Sequence, residues 1–241
     1  MSLVENMSDA VETVEIGSEG SPREGWGVLH LFCRVGRGFD PQRVESACKA
    51  LIDDGYQLVT YAVLGHKADI GFMALGPDLW RLRRFQSDIE ASSVEIAYSY
   101  FSLTEVSEYA KGMPMDRKAP RLYPTLPPAG KRAICFYPMS KRREESNNWY
   151  ALPYEERERL MYEHGASGRK FAGRVLQLIT GSTGLDDYEW GVTLFAERPD
   201  DLKEVVYTMR FDEASTLYAD FGPFYAGLVV DVDEVLALFH A

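Results

Sequence analysis

The segment Tyr137-Pro-Met-Ser-Lys-Arg-Arg143 puts a phenol, a hydroxyl and three cations at the end of an apolar, strand-like stretch. Cations and hydroxyls gathered in one place suit an anion site, in which charge-assisted hydrogen bonds hold carboxylates or phosphates. A solvated basic loop after an edge strand accounts for the charge about as well. Arg121, Arg132, Arg210 and Ser215 would add to such a site, although separation in sequence does not establish proximity.

Histidine offers a second chemistry. His30, His66, His164 and His240 each stand alone, with no second His or Cys at zinc-ligand spacing. His164 follows Leu160 and Met161 at helical spacing, which is first of all the pattern of a packed, hydrogen-bonded core residue. The alternative is an axial ligand to haem iron, where one protein histidine suffices because the porphyrin supplies four nitrogens. Gly165-Ala-Ser-Gly168 after it would let a flat macrocycle approach the backbone, and Trp149 and Trp190 are apolar plates suited to line it. Phosphate-loop and GxSxG nucleophile patterns are absent, and Gly181-Ser-Thr-Gly184 reads as a turn.

The elements that must position these residues follow one pattern twice. The first pass opens with the strand Gly27–Cys33 and a helix from Pro41, with Val44, Cys48, Leu51 and Ile52 on one face. Strands at 57–64 and 70–75, a helix opening at Gly76-Pro-Asp-Leu-Trp80 and an apolar stretch at 93–103 complete it. The second pass has a strand at 132–137 and a helix from Leu152-Pro-Tyr-Glu-Glu156. Strands at 175–180 and 188–196 follow, then a helix opening at Arg198-Pro-Asp-Asp-Leu202. Asp69-Ile-Gly71 is echoed by Glu189-Trp-Gly191, and Glu90-Ala-Ser92 by Glu213-Ala-Ser215, in the same order. Each pass is a βαββαβ unit, so the expected class is α+β: tandem ferredoxin-like repeats forming a dimeric α+β barrel. Residues 1–24 read as a disordered acidic leader and 25–110 as the first half. Residues 111–131, with five prolines between 114 and 128, read as a connector, and 132–241 as the half that carries the site.

The 241-residue chain is 46% hydrophobic, enough for a sizeable core, and its net charge of −11 disfavours nonspecific nucleic-acid binding. No apolar run approaches the roughly 18 residues that span a bilayer, and no secretory signal is visible. Cys33, Cys48 and Cys135 are too few and too scattered for a disulfide framework, which fits a reducing compartment and a cytoplasmic location.

Six motifs together resemble the coproheme decarboxylases, the haem-synthesis branch of the chlorite dismutase superfamily. They are Tyr137-Pro-Met-Ser-Lys141, Asn148-Trp-Tyr-x-Leu-Pro153, Glu163-His-Gly165, Val175-Leu-Gln-Leu-Ile-Thr-Gly181, Asp187-Tyr-Glu-Trp190 and Met209-Arg-Phe-Asp-Glu-x-Ser215. The resemblance covers residues 120–230 closely and the first half in layout only. Any one motif is weak; their common order and spacing are specific, and they override the packing reading of His164.

The resemblance implies a homopentamer that converts Fe-coproporphyrin III to haem b with hydrogen peroxide, through a tripropionate intermediate and a tyrosyl radical, releasing two carbon dioxides. Coproheme would be both substrate and cofactor. A transient contact with the coproporphyrin ferrochelatase is a further expectation. Residue by residue, His164 would be the axial ligand to iron, Tyr137 the radical-forming residue, and Lys141 a propionate ligand and proton relay. Arg121, Pro138, Met139, Ser140, Trp149, Arg210 and Ser215 would line or bind the substrate, with Gln177 on the distal face. Chlorite dismutases carry a distal Arg where this chain has Gln177, and the actinobacterial decarboxylases carry a distal His in a connector that here contains none. The rival readings are a haem carrier or sensor, a chlorite dismutase-like peroxidase, and a cofactor-free monooxygenase-like barrel.

Overall fold

The computed structural model describes residues 20–110 and 112–239, so most of the expected acidic leader, and His240, lie outside the described residues. The first pass is β1 (Gly27–Val35), α1 (Pro41–Asp53), β2 (Gln57–Val63), β3 (Ile70–Gly76), α2 (Leu79–Glu90) and β4 (Val94–Thr104). Its helices begin where the sequence places start signals. Asp40 accepts hydrogen bonds from the Gln42 and Arg43 amides with Pro41 in the first turn, and Asp78 accepts from Trp80.

After α3 (Met115–Leu122), the second pass begins with β5 (Ala133–Lys141), a small hairpin of β6 (Arg143–Glu144) and β7 (Asn147–Asn148), and a 3-10 turn at Trp149–Ala151. It continues with α4 (Tyr154–Arg169), β8 (Val175–Gly181), β9 (Trp190–Ala196), α5 (Pro199–Met209) and α6 (Glu213–Tyr218). β10 (Ala219–Phe221), β11 (Tyr225–Val229) and α7 (Val232–Ala237) end the chain. None of the helices among the described residues is long and apolar enough to cross a membrane.

The main sheet is antiparallel in every pairing, in the order β10-β5-β11-β2-β3-β1-β4-β8-β9, and β9 pairs back onto β5. That last pairing closes the sheet into a ring, in which β4 meets β8 only at Leu103 and Thr104. Residues alternate between the two sides of the ring. Phe32, Tyr61, Tyr100, Phe136 and Phe195 fill the interior together with a wholly buried His30. The His30 Nε2 lies 3.1 Å from Thr193 Oγ1, and burial drives its pKa down to about 3, so it sits there as a neutral ring. On the outside, α1, α2 and α7 cover the first half, and α5 covers Cys135, Tyr137, Val192 and Leu194 of the second.

Four departures from the sequence reading have physical causes. The connector holds a helix, α3, with Pro120 inside it; Pro120 falls in the last turn, two residues before the end, where one lost amide bond costs least. β5 does not stop before Pro138 but runs on to Lys141, so the Ser140 and Lys141 expected in a loop are strand residues. Pro138 is tolerated because β11 pairs only as far as Phe136 and β10 takes over at Met139, so its missing N–H faces the break between them. The closing strand is thus split in two. Finally, Val235 and Leu236 of α7 pack into the first half's core, so the chain's end does not stay with residues 132–231.

Candidate active site

Alternation along β5 sends Tyr137, Met139 and Lys141 to the outer face, with Cys135 before them. The register extends that face across the sheet: Tyr137 lies beside Val192 and Ile179, and Cys135 beside Leu194 and Gln177. Gln177 and Ile179 are exposed, so α5 leaves the β8 side of this face open. α4 stands off from it, packing mainly on α5 and α6, and Leu160 is its one buried residue.

Tyr137 is 7% exposed, with the Phe224 ring stacked on it at 4.5 Å and Phe221 edge-on at 5.7 Å. Phe221 ends β10, and Phe224 immediately precedes β11. Burial raises the phenol's pKa well above the ordinary tyrosine value, so it keeps its proton at neutral pH.

Lys141 is 9% exposed; its Nζ donates to the Ala214 carbonyl at 3.1 Å and lies 4.2 Å from the centre of the Trp149 ring. Burial lowers its pKa to about 8, outweighing the opposite pull of Asp212 and Glu189. At neutral pH it is a cation that gives up its proton far more readily than a surface lysine.

His164 lies on α4, and its Nδ1 is 3.0 Å from Asp212 Oδ2 and 3.4 Å from Ser215 Oγ. Asp212 caps α6: its Oδ1 accepts from the Ser215 amide at 2.9 Å. Burial alone would raise the Asp212 carboxyl, but the hydrogen bond and charge of His164 and the bonds from Ser215 prevail and hold it below the usual range. With Nδ1 committed to a carboxylate, Nε2 is the nitrogen left to bind a ligand. A single turn of α6 therefore ties the two ends of the site together, Asp212 to His164 and Ala214 to Lys141.

The remaining candidates divide. Trp149 is buried under Lys141, and Ser215 joins the His164 cluster. Met139 shares the Tyr137 face, whereas alternation puts Pro138 and Ser140 on the opposite one. Arg210 is exposed at the end of α5, two residues from Asp212. Arg121 is not brought in: its guanidinium bonds to the Arg117 carbonyl and Met113 Sδ within and just before α3. Asp212, Phe221 and Phe224 were missed from the sequence. Asp212 was within reach, as an acid three residues before Ser215 in a helix-start position; the phenylalanines carried no local signal.

These residues fit an iron porphyrin. An imidazole whose Nδ1–H is held by a buried carboxylate is the usual form of an axial histidine. Lys141 is tied to the same α6 turn, and the sheet face that carries Tyr137 is left open at Gln177 and Ile179, which suits a flat ring with carboxylate arms.

Comparison with known proteins supports the same direction. The family model described as chlorite dismutase matches residues 41–230. A coproheme decarboxylase of Staphylococcus saprophyticus is 47% identical over 191 residues, covering 74% of this chain and 75% of that one. One from Staphylococcus carnosus is 40% identical over 260 residues, covering 97% and 100%. A solved structure described as a novel heme-binding protein from Thermus thermophilus superposes with a TM-score of 0.76 at 39% identity, covering 89% of this chain and 95% of that one.

Proposed function

The chain belongs to the chlorite dismutase family, and on that premise we propose that it is a coproheme decarboxylase, turning Fe-coproporphyrin III into haem b with hydrogen peroxide. The observation that carries this reading is the α6 turn that joins His164, through Asp212, to Lys141 on the strand of Tyr137. A carrier needs an axial ligand and anchors; it has no need of a buried phenol on the same strand face as a lysine of lowered pKa.

The bound substrate would supply the redox chemistry of its own iron with peroxide. Each propionate with one peroxide and one proton gives a vinyl group, one carbon dioxide and two waters. His164 would hold the iron through Nε2, with Asp212 fixing the ring and keeping it basic. Tyr137 would lose an electron and a proton, take a hydrogen atom from the propionate carbon next to the ring, and so regain its O–H. Lys141 would hold that propionate's carboxylate and, with its lowered pKa, accept or return the proton. Met139, Trp149, Arg210 and Ser215 would line the substrate. Arg121 would need α3 to move before it could join them.

The strand order in each half, β2-β3-β1-β4 and β8-β9-β5 with β10 and β11, supports reading the ring as two ferredoxin-like repeats. We take residues 25–110 and 132–231 as those repeats, and a homopentamer of such chains as the assembly. The test is to load the protein with coproheme, titrate peroxide and identify the porphyrins by chromatography and mass. Successive loss of two carboxyl groups supports the reading; bound coproheme that survives peroxide unchanged contradicts it.

A further inference from the structure

Of the motifs that set this sequence apart, Asp187-Tyr-Glu-Trp190 has no part in the chemistry above. Its Glu189 is 6% exposed, an unusual place for a carboxylate; its carbonyl accepts the Ser182 amide at 2.8 Å, and most of its other bonds go to residues 139–143. The Glu189 amide donates to the Met139 carbonyl at 3.1 Å and to Ser140 Oγ at 3.2 Å. Its Oε2 accepts the Lys141 amide at 2.8 Å, and its Oε1 accepts the Arg143 guanidinium. Arg143 in turn lies over the Tyr150 ring, next to the Trp149 that packs under Lys141.

We infer that Glu189 is a positioning residue for substrate carboxylates: it holds Met139, Ser140, Lys141 and Arg143 as one unit so that the Lys141 ammonium is delivered, charged, to a propionate. This rests on the coproheme reading above. Glu189 touches no part of the substrate in this role and acts through Lys141. The alternative is a purely structural buried acid that neutralises Arg143. Two features separate them. The carboxylate bonds directly to the Lys141 amide, and its charge, with that of Asp212, favours the lysine's protonated form against burial. The charged groups facing Lys141 are Glu189 beside β9 and Asp212 on α6; Arg143 and His164 are the partners of these two carboxylates. Glu189→Gln keeps the shape and an acceptor but removes the charge, so the lysine should lose its proton at lower pH than in the wild type.

The experiment uses the full chain and two metal-free probes, coproporphyrin III with four propionates and deuteroporphyrin IX with two, so that binding is read by fluorescence without iron or turnover. Glu189→Gln should weaken coproporphyrin III by roughly tenfold, the scale of one charge-assisted bond, and deuteroporphyrin IX by clearly less. Its loss of coproporphyrin binding between neutral and alkaline pH should begin at lower pH than in the wild type. Glu189→Asp, which keeps the charge but shortens the reach, should restore the wild-type pH midpoint. It also carries the test if circular dichroism shows the Gln variant unfolded: a midpoint shifted down in Glu189→Asp overturns the proposal. Equal weakening of both probes by Glu189→Gln, or an unchanged midpoint, also overturns it. Wild-type protein that binds neither probe overturns the coproheme reading itself, and the positioning role with it.

Discussion

Gln177 and Tyr137 occupy one outer face of the sheet in neighbouring register rows, and on the proposed reading Gln177 would set a neutral amide over the bound substrate. An amide can orient peroxide but cannot offset the charge of an oxyanion. Gln177→Arg is therefore expected to gain measurable oxygen release from chlorite when the protein is loaded with haem. Unchanged oxygen evolution in a haem-bound variant would remove Gln177 from the distal side. At this scale the sequence was informative where a residue type is rare for its surroundings: His164, Lys141 and Tyr137 stood out, and the structure ties His164 and Lys141 to one turn of α6 and puts Tyr137 on the strand of Lys141. It misled on Ser140 and Pro138, because a strand end and a loop look alike in sequence while alternation of side chains sends neighbours to opposite faces.

At the scale of elements, α6 is the part on which the site depends, although it has only six residues. Asp212 does two things there: it caps the helix and it holds His164. Asp212→Asn keeps a good cap but withdraws the negative charge from the imidazole. A less basic axial histidine favours the ferric state less, so the midpoint potential of the coproheme complex should rise, and iron affinity should drop about 10–100-fold. Spectroelectrochemistry reads the first and competition for coproheme the second. The same variant has a pH signature. The Asp212 carboxyl is held below its unfolded value, so its stabilisation is present above about pH 4 and is lost as pH falls through the lowered folded value. Denaturation midpoints of Asp212→Asn should accordingly fall less steeply with acid than those of the wild type. The first-half helices were legible because Pro41 with an apolar face behind it, and Pro77-Asp78, mark their starts. By contrast α3, α6 and the split strand β10–β11 were not, since each is short and takes its form from tertiary pairing rather than from its own pattern.

For the molecule as a whole, the ring is closed by pairings that no local pattern announces. β11 bridges the halves by pairing with both β2 and β5, and β4 meets β8 at the other seam. At the first seam the backbones come so close that a Cβ on Gly227 would lie 2.3 Å from the Ala62 carbonyl oxygen. Gly227→Ala must therefore push β2 and β11 apart, at a cost of about 2 kcal/mol, or roughly 4–8 °C in Tm for a chain of this size. Calorimetry checks this, and an unchanged Tm would show that the seam gives way without loss. The order of strands and helices was largely visible in the sequence, because apolar stretches and helix starts mark each of them. The closure of the ring was not, because register between distant strands is set by packing over the whole ring.

The central claim is that Tyr137 passes oxidising equivalents from the substrate's iron to its propionates, and Tyr137→Phe tests it most directly. The variant keeps the ring that stacks on Phe224 and removes only the O–H. Coproheme should bind nearly as in the wild type, since one hydrogen bond is worth about 0.5–1.5 kcal/mol. The measurement is a peroxide titration of coproheme-loaded wild type and variant, followed by chromatography of the tetra-, tri- and dipropionate porphyrins. The expected result is stepwise conversion to haem b in the wild type and intact coproheme in the variant. Haem b formed by Tyr137→Phe at near wild-type yield per peroxide would contradict the account.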